Sequence, residues 1–232
     1  QDKELIESFR RNNRKATFNI INKKIKMLKK LQNIDFEVQV HDENLNTFLR
    51  SWDLSIKNIP LKDFREGLVY VKKTQKAISS IELGKRLNIK AISPIIYNNM
   101  FIGSIEVIMS FDKLSKELEN KNIDFFVLLK NKHLKIASKL KNNPKIENYT
   151  LVNKNQKYSY LPNLSSLKEY GYFTNHTYAY SYFSYYSLKR EKLGYIIVAI
   201  NNSKQKKFKD NFAKKIIEYK NERIIIEWIY FY

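Results

Sequence analysis

FREGLVYVKKTQKAISSIELG (residues 64–84) and AISPIIYNNMFIGSIEVIMSF (residues 91–111) decide how the middle of this chain folds. The second stretch holds two apolar runs either side of Tyr97-Asn98-Asn99-Met100. An Asn-rich tetrapeptide between apolar runs reads as a turn, so residues 89–93 and 101–111 are expected to pair as a hairpin. In the first stretch, residues 61–73 read as a short helix and residues 78–83 as a strand. Upstream, Phe36, Val38 and Val40 alternate with polar residues, which predicts a strand over 36–41. Asp42 or Asn44 then stands where an N-cap would open a short helix through Leu49.

Outward from this module, Phe18, Ile21, Ile25, Leu28 and Leu31 recur every three or four residues without Gly or Pro. That spacing predicts one amphipathic helix over residues 1–34, of about eight turns, suited to a stalk or a dimer seam. Downstream, Asp112 opens a linking helix carrying Leu114 and Leu118. A second cycle follows. Residues 123–129 form a continuous apolar run, Tyr178, Tyr180 and Tyr182 alternate, and residues 193–200 form another strong strand. Ser203 can cap a last helix bearing Phe208, Phe212, Ile216 and Tyr219. The expected fold class is α+β: a long N-terminal helix (1–34), two small antiparallel-sheet modules (35–112 and 113–202) and an exit helix (203–232).

The 232 residues are 43% hydrophobic, enough to build a core, and carry no Cys, which removes disulfides and thiolate chemistry together. Net charge is +20, from 43 Lys and Arg against 23 Asp and Glu. Such a balance fits a polyanion partner. Here the lysines are spread along the chain, and a Lys-, Asn- and Ile-rich composition accounts for them equally well, so nucleic acid is not the expected partner. No apolar run reaches the roughly 18 residues of a membrane span. Gln1-Asp2-Lys3-Glu4 is not the flank of a signal peptide. Residues 224–232 end apolar and aromatic, either as a buried helix end or as the approach to a span.

Catalytic chemistry finds no footing. His41, His133 and His176 lie far apart without metal-ligand spacing, and no phosphate loop or nucleophile elbow is present. No catalytic residue, metal site or cofactor is expected. Binding chemistry is more specific. Arg50-Ser51-Trp52 places a guanidinium fork beside an aromatic wall on one face of extended chain, which is what a small organic anion requires. Arg65 can point into the same space or bridge to Asp63 or Glu66. Glu82 and Glu106 stand on apolar strands, where an unpaired charge costs several kcal/mol, so each needs a partner, with Lys90 and Arg50 as candidates. The tyrosines of residues 170–186 can stack on bases or sugars, but without interleaved Arg they read as a strand face burying rings.

Taken in order, His41, Thr47-Phe48-Leu49-Arg50-Ser51-Trp52, Phe64-Arg65, Glu82-Leu83-Gly84, Ile92-Ser93-Pro94 and Ile102-Gly103-Ser104-Ile105-Glu106 form a recognisable series. It resembles the first module of the double Cache (PAS-like) sensor domains of bacterial chemoreceptors and sensor kinases, especially those of the Campylobacter–Arcobacter group. Leu193-Gly194-Tyr195-Ile196-Ile197-Val198 resembles the second module more weakly. The resemblance implies a periplasmic domain between two membrane spans that binds a small molecule, often a carboxylate, in the first module. It further implies a homodimer paired through the N-terminal helix. The site residues it implies are Arg50, Trp52, Arg65, His41, Glu82 and Lys90. Two positions depart from the family pattern. Asp53 follows the Trp where the amino-acid clamp has Tyr, and Lys90 replaces a pocket Arg. The alternatives are a polyanion-binding protein and a domain of this class that senses a protein partner.

Overall fold

A computed structural model describes residues 2–32, 35–153 and 158–202. The described residues form two compact units, one from within 1–84 and 88–109 and the other from within 85–87 and 110–202. The expected exit helix at 203–232 lies outside the described residues.

The first unit opens with two helices, α1 (Lys3–Arg10) and α2 (Arg14–Gln32), where sequence periodicity predicts one. Asn12 takes a left-handed backbone (φ 53°) and Asn13 caps the new helix, its Oδ1 accepting from Ala16 N at 3.0 Å. The chain folds back there. Asp2 ion-pairs with Lys24, and Thr17 Oγ1 donates to Ser8 Oγ at 3.0 Å, so α1 runs antiparallel along the start of α2. An unbroken stalk over 1–34 is therefore corrected to a helical hairpin.

Five strands follow: β1 (Glu37–Asp42), β2 (Thr47–Arg50), β3 (Ile78–Leu83), β4 (Leu87–Tyr97) and β5 (Met100–Met109). The helix expected after Asp42 is instead a turn and the strand β2. Asp42 Oδ1 accepts from Asn44 N (2.9 Å) and Asn46 N (2.8 Å), and Leu45 sits at φ 64°, which reverses the chain rather than starting a helix. The β4–β5 turn falls on Asn98-Asn99, both with positive φ (48° and 60°), the geometry of a two-residue hairpin. The sheet order is β2-β1-β5-β4-β3.

Strand alternation gives this sheet two unlike faces. Val38 and Val40 of β1 pack with Phe9, Ile21, Ile25, Leu49 and Ile95 beneath α1 and α2. On the other face, Leu68 and Val71 of α3 (Glu66–Thr74) pack with Leu45, Leu61 and Ile92. Residues Gln39 and His41, also on this second face, are polar and buried.

The second unit comprises α4 (Phe111–Glu119) and strands β6 (Ile123–Lys130), β7 (Lys145–Ile146), β8 (Tyr149–Leu151), β9 (Tyr170–Thr174), β10 (Tyr178–Tyr186) and β11 (Lys192–Asn201). Their order is β7-β8-β6-β11-β10-β9. Without the edge strand β7, this repeats the plan of the first sheet: second, first, fifth, fourth, third. One close approach pins the register, since a Cβ on Gly194 would lie 1.7 Å from the carbonyl oxygen of Leu128. Of the tyrosine run, Tyr180, Tyr182 and Tyr185 bury their rings as the strand reading expects, whereas Tyr170, Tyr172 and Tyr186 are exposed. Tyr180, Tyr182 and Tyr195 join Phe126, Leu128, Leu151, Leu164 and Ile197 in an apolar core.

A buried ion cluster on the first sheet

All six expected binding residues lie on, or at the rim of, the α3-facing side of the first sheet. Cross-strand register assembles it: Gln39 stands opposite both Arg50 and Glu106, His41 opposite Thr47 and Ser104, and Ile92 opposite Glu106. Arg65 enters from the N-terminal edge of α3, where it occupies the N-cap position.

Arg65 is the hub. Its Nη2 donates to Glu106 Oε1, and its Nε reaches Glu82 Oε2 at 3.4 Å. Glu82 Oε1 also accepts from Ser80 Oγ at 2.7 Å. The sequence reading named Lys90 and Arg50 as candidate partners of the two glutamates; Lys90 does pair with Glu106, at the long limit of an ion pair, whereas the main partner of both is Arg65 and Arg50 turns to Gln39. Lys90 Nζ stands 4.0 Å from Glu106 Oε1, while Arg50 Nε donates to Gln39 Oε1 at 3.1 Å. Gln39 in turn donates to Thr47 Oγ1 at 3.1 Å. The centre of the cluster is buried: Arg65 and Glu82 are each 5% exposed, Lys90 is 3% exposed, and His41 and Glu106 are fully buried.

Burial sets the charge states. It holds His41 well below the ordinary histidine range, and Arg65, Lys90 and Arg50 add to the effect, so the imidazole is neutral. Its Nδ1 lies 3.0 Å from Ser104 Oγ, and its Nε2 faces Glu106 Oε2 at 3.6 Å. Neither of those two facing atoms has a hydrogen-bond partner among the described residues. Burial also pushes Lys90 down to about 8, with Arg65 adding to it and Glu106 and Glu82 opposing. Within the cluster Arg50, Arg65 and Lys90 face Glu82 and Glu106, and Asp53 and Glu37 add negative charge around Arg50.

Arg50 itself sits at the rim. Arg50 ends β2, is half-buried, and lies 5.5 Å from the centre of the Trp52 ring, which is 43% exposed. Arg50 is thereby presented beside an open aromatic face, with its Nε held by Gln39. Gly67 closes the other side of the cluster: a Cβ there would lie 2.0 Å from Glu82 Oε1 and 2.7 Å from Ile92 Cδ1. Glu106, Gln39, Ser104 and Thr47 belong to the arrangement although sequence reasoning did not place them in the site. The signal available for them was alternation, a polar residue at every second position (Gln39/His41, Ser104/Glu106) of otherwise apolar strands.

The corresponding face of the second sheet is filled differently, by Phe126, Leu128, Tyr180, Tyr182, Tyr195 and Ile197. No group of three or more His, Cys, Asp or Glu among the described residues is arranged to hold a metal. No described helix is long and apolar enough to cross a membrane.

No protein-family model matches the chain, and no curated protein matches it. Solved structures do. The extracellular domain of vpHK1S-Z8, described as a histidine kinase, is 15% identical over 95% of this chain and 84% of its own, with a TM-score of 0.49. The sensor domain of the Vibrio cholerae histidine kinase DctB is 17% identical over 87% of this chain and 85% of its own, with a TM-score of 0.44. The sensory domain of the Campylobacter jejuni chemoreceptor Tlp3, solved with isoleucine bound, is 12% identical over 82% of this chain and 75% of its own, with a TM-score of 0.42. These three solved structures are the extracellular or sensor domains of two histidine kinases and the sensory domain of a chemoreceptor.

Proposed function

We propose that this chain is the periplasmic, ligand-binding sensor domain of a membrane-anchored receptor of the chemoreceptor type, and that it binds a small carboxylate without turning it over. One observation carries the reading: the buried ion cluster ends at its rim in a half-buried guanidinium, Arg50, set beside the exposed ring of Trp52. A carboxylate pairs with that guanidinium. Guanidinium geometry suits it, because Gln39 occupies Nε and leaves the two terminal nitrogens to receive a carboxylate side by side. Trp52 offers apolar area to the remainder of the ligand. Arg65, Glu82, Glu106, Lys90 and His41 form the floor. With Arg65 already engaged by two carboxylates, the floor fixes the position of the sheet and α3 and leaves anion capture to Arg50. Lys90, whose nearest carboxylate oxygen is at 4.0 Å, is the second cation a ligand deep in the site would meet.

Signalling requires the ligand to bind one of two conformations better than the other. In a homodimer joined through the N-terminal helices, a shift of the rim relative to α2 is the displacement to be read by the output domain.

The test is a thermal-shift screen of this fragment against organic acids, amino acids, amines and purines, with Arg50→Ala in parallel. A ligand at about 100 times its Kd adds about 2.7 kcal/mol, which is roughly 5–10 °C for a domain of this size. The expected result is a carboxylate that stabilises the wild type and not Arg50→Ala. Hits confined to amines or purines, or a carboxylate hit indifferent to Arg50→Ala, would overturn the assignment.

A further inference from the structure

Arg14 makes three long-range hydrogen bonds, all to main-chain carbonyls of one segment. Its Nε donates to Phe48 O at 2.7 Å, and its Nη2 donates to Leu54 O at 2.7 Å and to Ile56 O at 3.0 Å. That segment is the end of β2 and the loop after it, which carries Arg50, Trp52 and Asp53. The loop has little regular structure to hold it. It is tied by Ser51 N to Val38 O, Asp53 N to Arg50 O and Asn58 N to Thr47 O, and its exposed stretch around Asp53–Ser55 bonds chiefly within itself. Arg14 is also the first residue of α2, immediately after the Asn12–Asn13 break. One guanidinium thus joins the pivot of the helical hairpin to both ends of the loop that presents the rim.

We infer that Arg14 is a positioning residue for the ligand rim: it holds Arg50 and Trp52 in their mutual geometry and makes the loop and the start of α2 move as one body. This rests on the proposed binding role of Arg50 and Trp52. The choice of residue is physical. Three carbonyls at divergent angles need the rigid, multi-donor fork of arginine, and lysine offers a single ammonium. The apolar contact runs in parallel, since Phe9 of α1 packs edge-on against Phe48 with ring centres 4.7 Å apart. A displacement of the rim therefore has a polar link to α2 and an apolar one to α1.

The experiment reads Trp52 directly. In a Trp228→Phe background Trp52 is the sole indole, and its fluorescence is quenched in turn by iodide, an anion, and by neutral acrylamide. Arg50→Ala is expected to lower the iodide quenching constant roughly twofold, by removing the cation that concentrates anions at the ring, and to leave acrylamide quenching nearly unchanged. Arg14→Ala is expected to lower the iodide constant similarly while raising the acrylamide constant, because the loop comes free. Arg14→Lys should fall between the two. Thr17→Ala, which removes the buried Thr17–Ser8 hydrogen bond between α1 and α2 without touching the loop, supplies the control and should leave both constants at wild-type values. Should Arg14→Ala fail to fold, Arg14→Gln carries the same comparison. Unchanged iodide and acrylamide constants in a folded Arg14 variant would overturn the inference, and so would a Thr17→Ala change as large as that of Arg14→Ala. If Arg50→Ala alone leaves iodide quenching unchanged, the anion-facing reading of the rim fails, and Arg14 is still judged by acrylamide.

Discussion

Replacing Glu106 by Gln tests the ion cluster at its centre. Glu106 is fully buried, receives the Arg65 guanidinium on Oε1, stands 4.0 Å from Lys90 and faces His41 at 3.6 Å. The amide keeps the shape and removes the charge, so three cations are left against the single carboxylate of Glu82. Breaking a buried pair by deleting one partner costs about 3–5 kcal/mol, because the surviving charge has lost its solvation and its counterion. Glu82 still holds Arg65, which places the expectation near the lower end, about 3 kcal/mol, or a fall in Tm of roughly 6–12 °C. The pH dependence is a sharper discriminant. Lys90 is held down to about 8 in the folded protein, against an unfolded value of about 10.4, so between those limits the unfolded chain binds more protons and stability rises with pH. Glu106 is the larger of the two charges that oppose this depression. Its removal should extend the window below pH 8 and steepen the total gain on alkalinisation. Urea titrations of both proteins from pH 6.5 to 10 measure this. A Glu106→Gln protein as stable as wild type, with the same pH slope, would refute the view that the cluster is a coupled charge network.

Three further outcomes are expected. Gly67→Ala drives a methyl against Glu82 Oε1, which the ion cluster holds in place, and against Ile92, so a loss of about 1–3 kcal/mol should appear in urea melts. His41 is buried neutral with its titration held well below the ordinary 6.5, so the unfolded chain takes up the proton first and stability should fall as pH drops below about 6.5; His41→Asn should flatten that slope, with His133→Asn as a control because burial lowers His133 too. Asn98 and Asn99 both occupy the left-handed region, so replacing the pair by Ala-Ala should cost about 2–4 kcal/mol in urea melts, while Asn99→Gly should be neutral or stabilising.

Features set by local chemistry were legible in the sequence, and those set by distant partners were not. Asn98-Asn99 announced its hairpin because backbone preference and apolar flanks agree within a dozen residues. Asp42 misled for an instructive reason. A carboxylate that accepts main-chain amides two and four residues ahead is the chemistry of a helix cap and equally that of a reversing turn, and only the return pairing of Thr47–Arg50 with β1 separates them. The break at Asn12 has no Gly or Pro to signal it and depends on Asp2 finding Lys24. In the site, residue types were readable while pairings were not. Arg65 and Glu106 are 41 residues apart, and their union is made by the position of α3 over the sheet. Two sheet modules were legible from the second cycle of apolar runs, but their common strand order was not, because the two faces carry unrelated side chains.

Those two faces amount to one scaffold filled with two different materials. Aromatic and aliphatic packing gains free energy with every square ångström withdrawn from water and does so without regard to direction. An internal salt network gains little net cohesion and has strict geometric demands. The second sheet is therefore expected to behave as the stiff, slowly exchanging part of the chain. The ion cluster beneath α3 is expected to respond more abruptly, since removing or adding one charge unbalances all the others, while Leu68 and Val71 anchor α3 on Leu45, Leu61 and Ile92. Sensitivity to charge thus belongs to the first sheet, and cohesion indifferent to charge to the second.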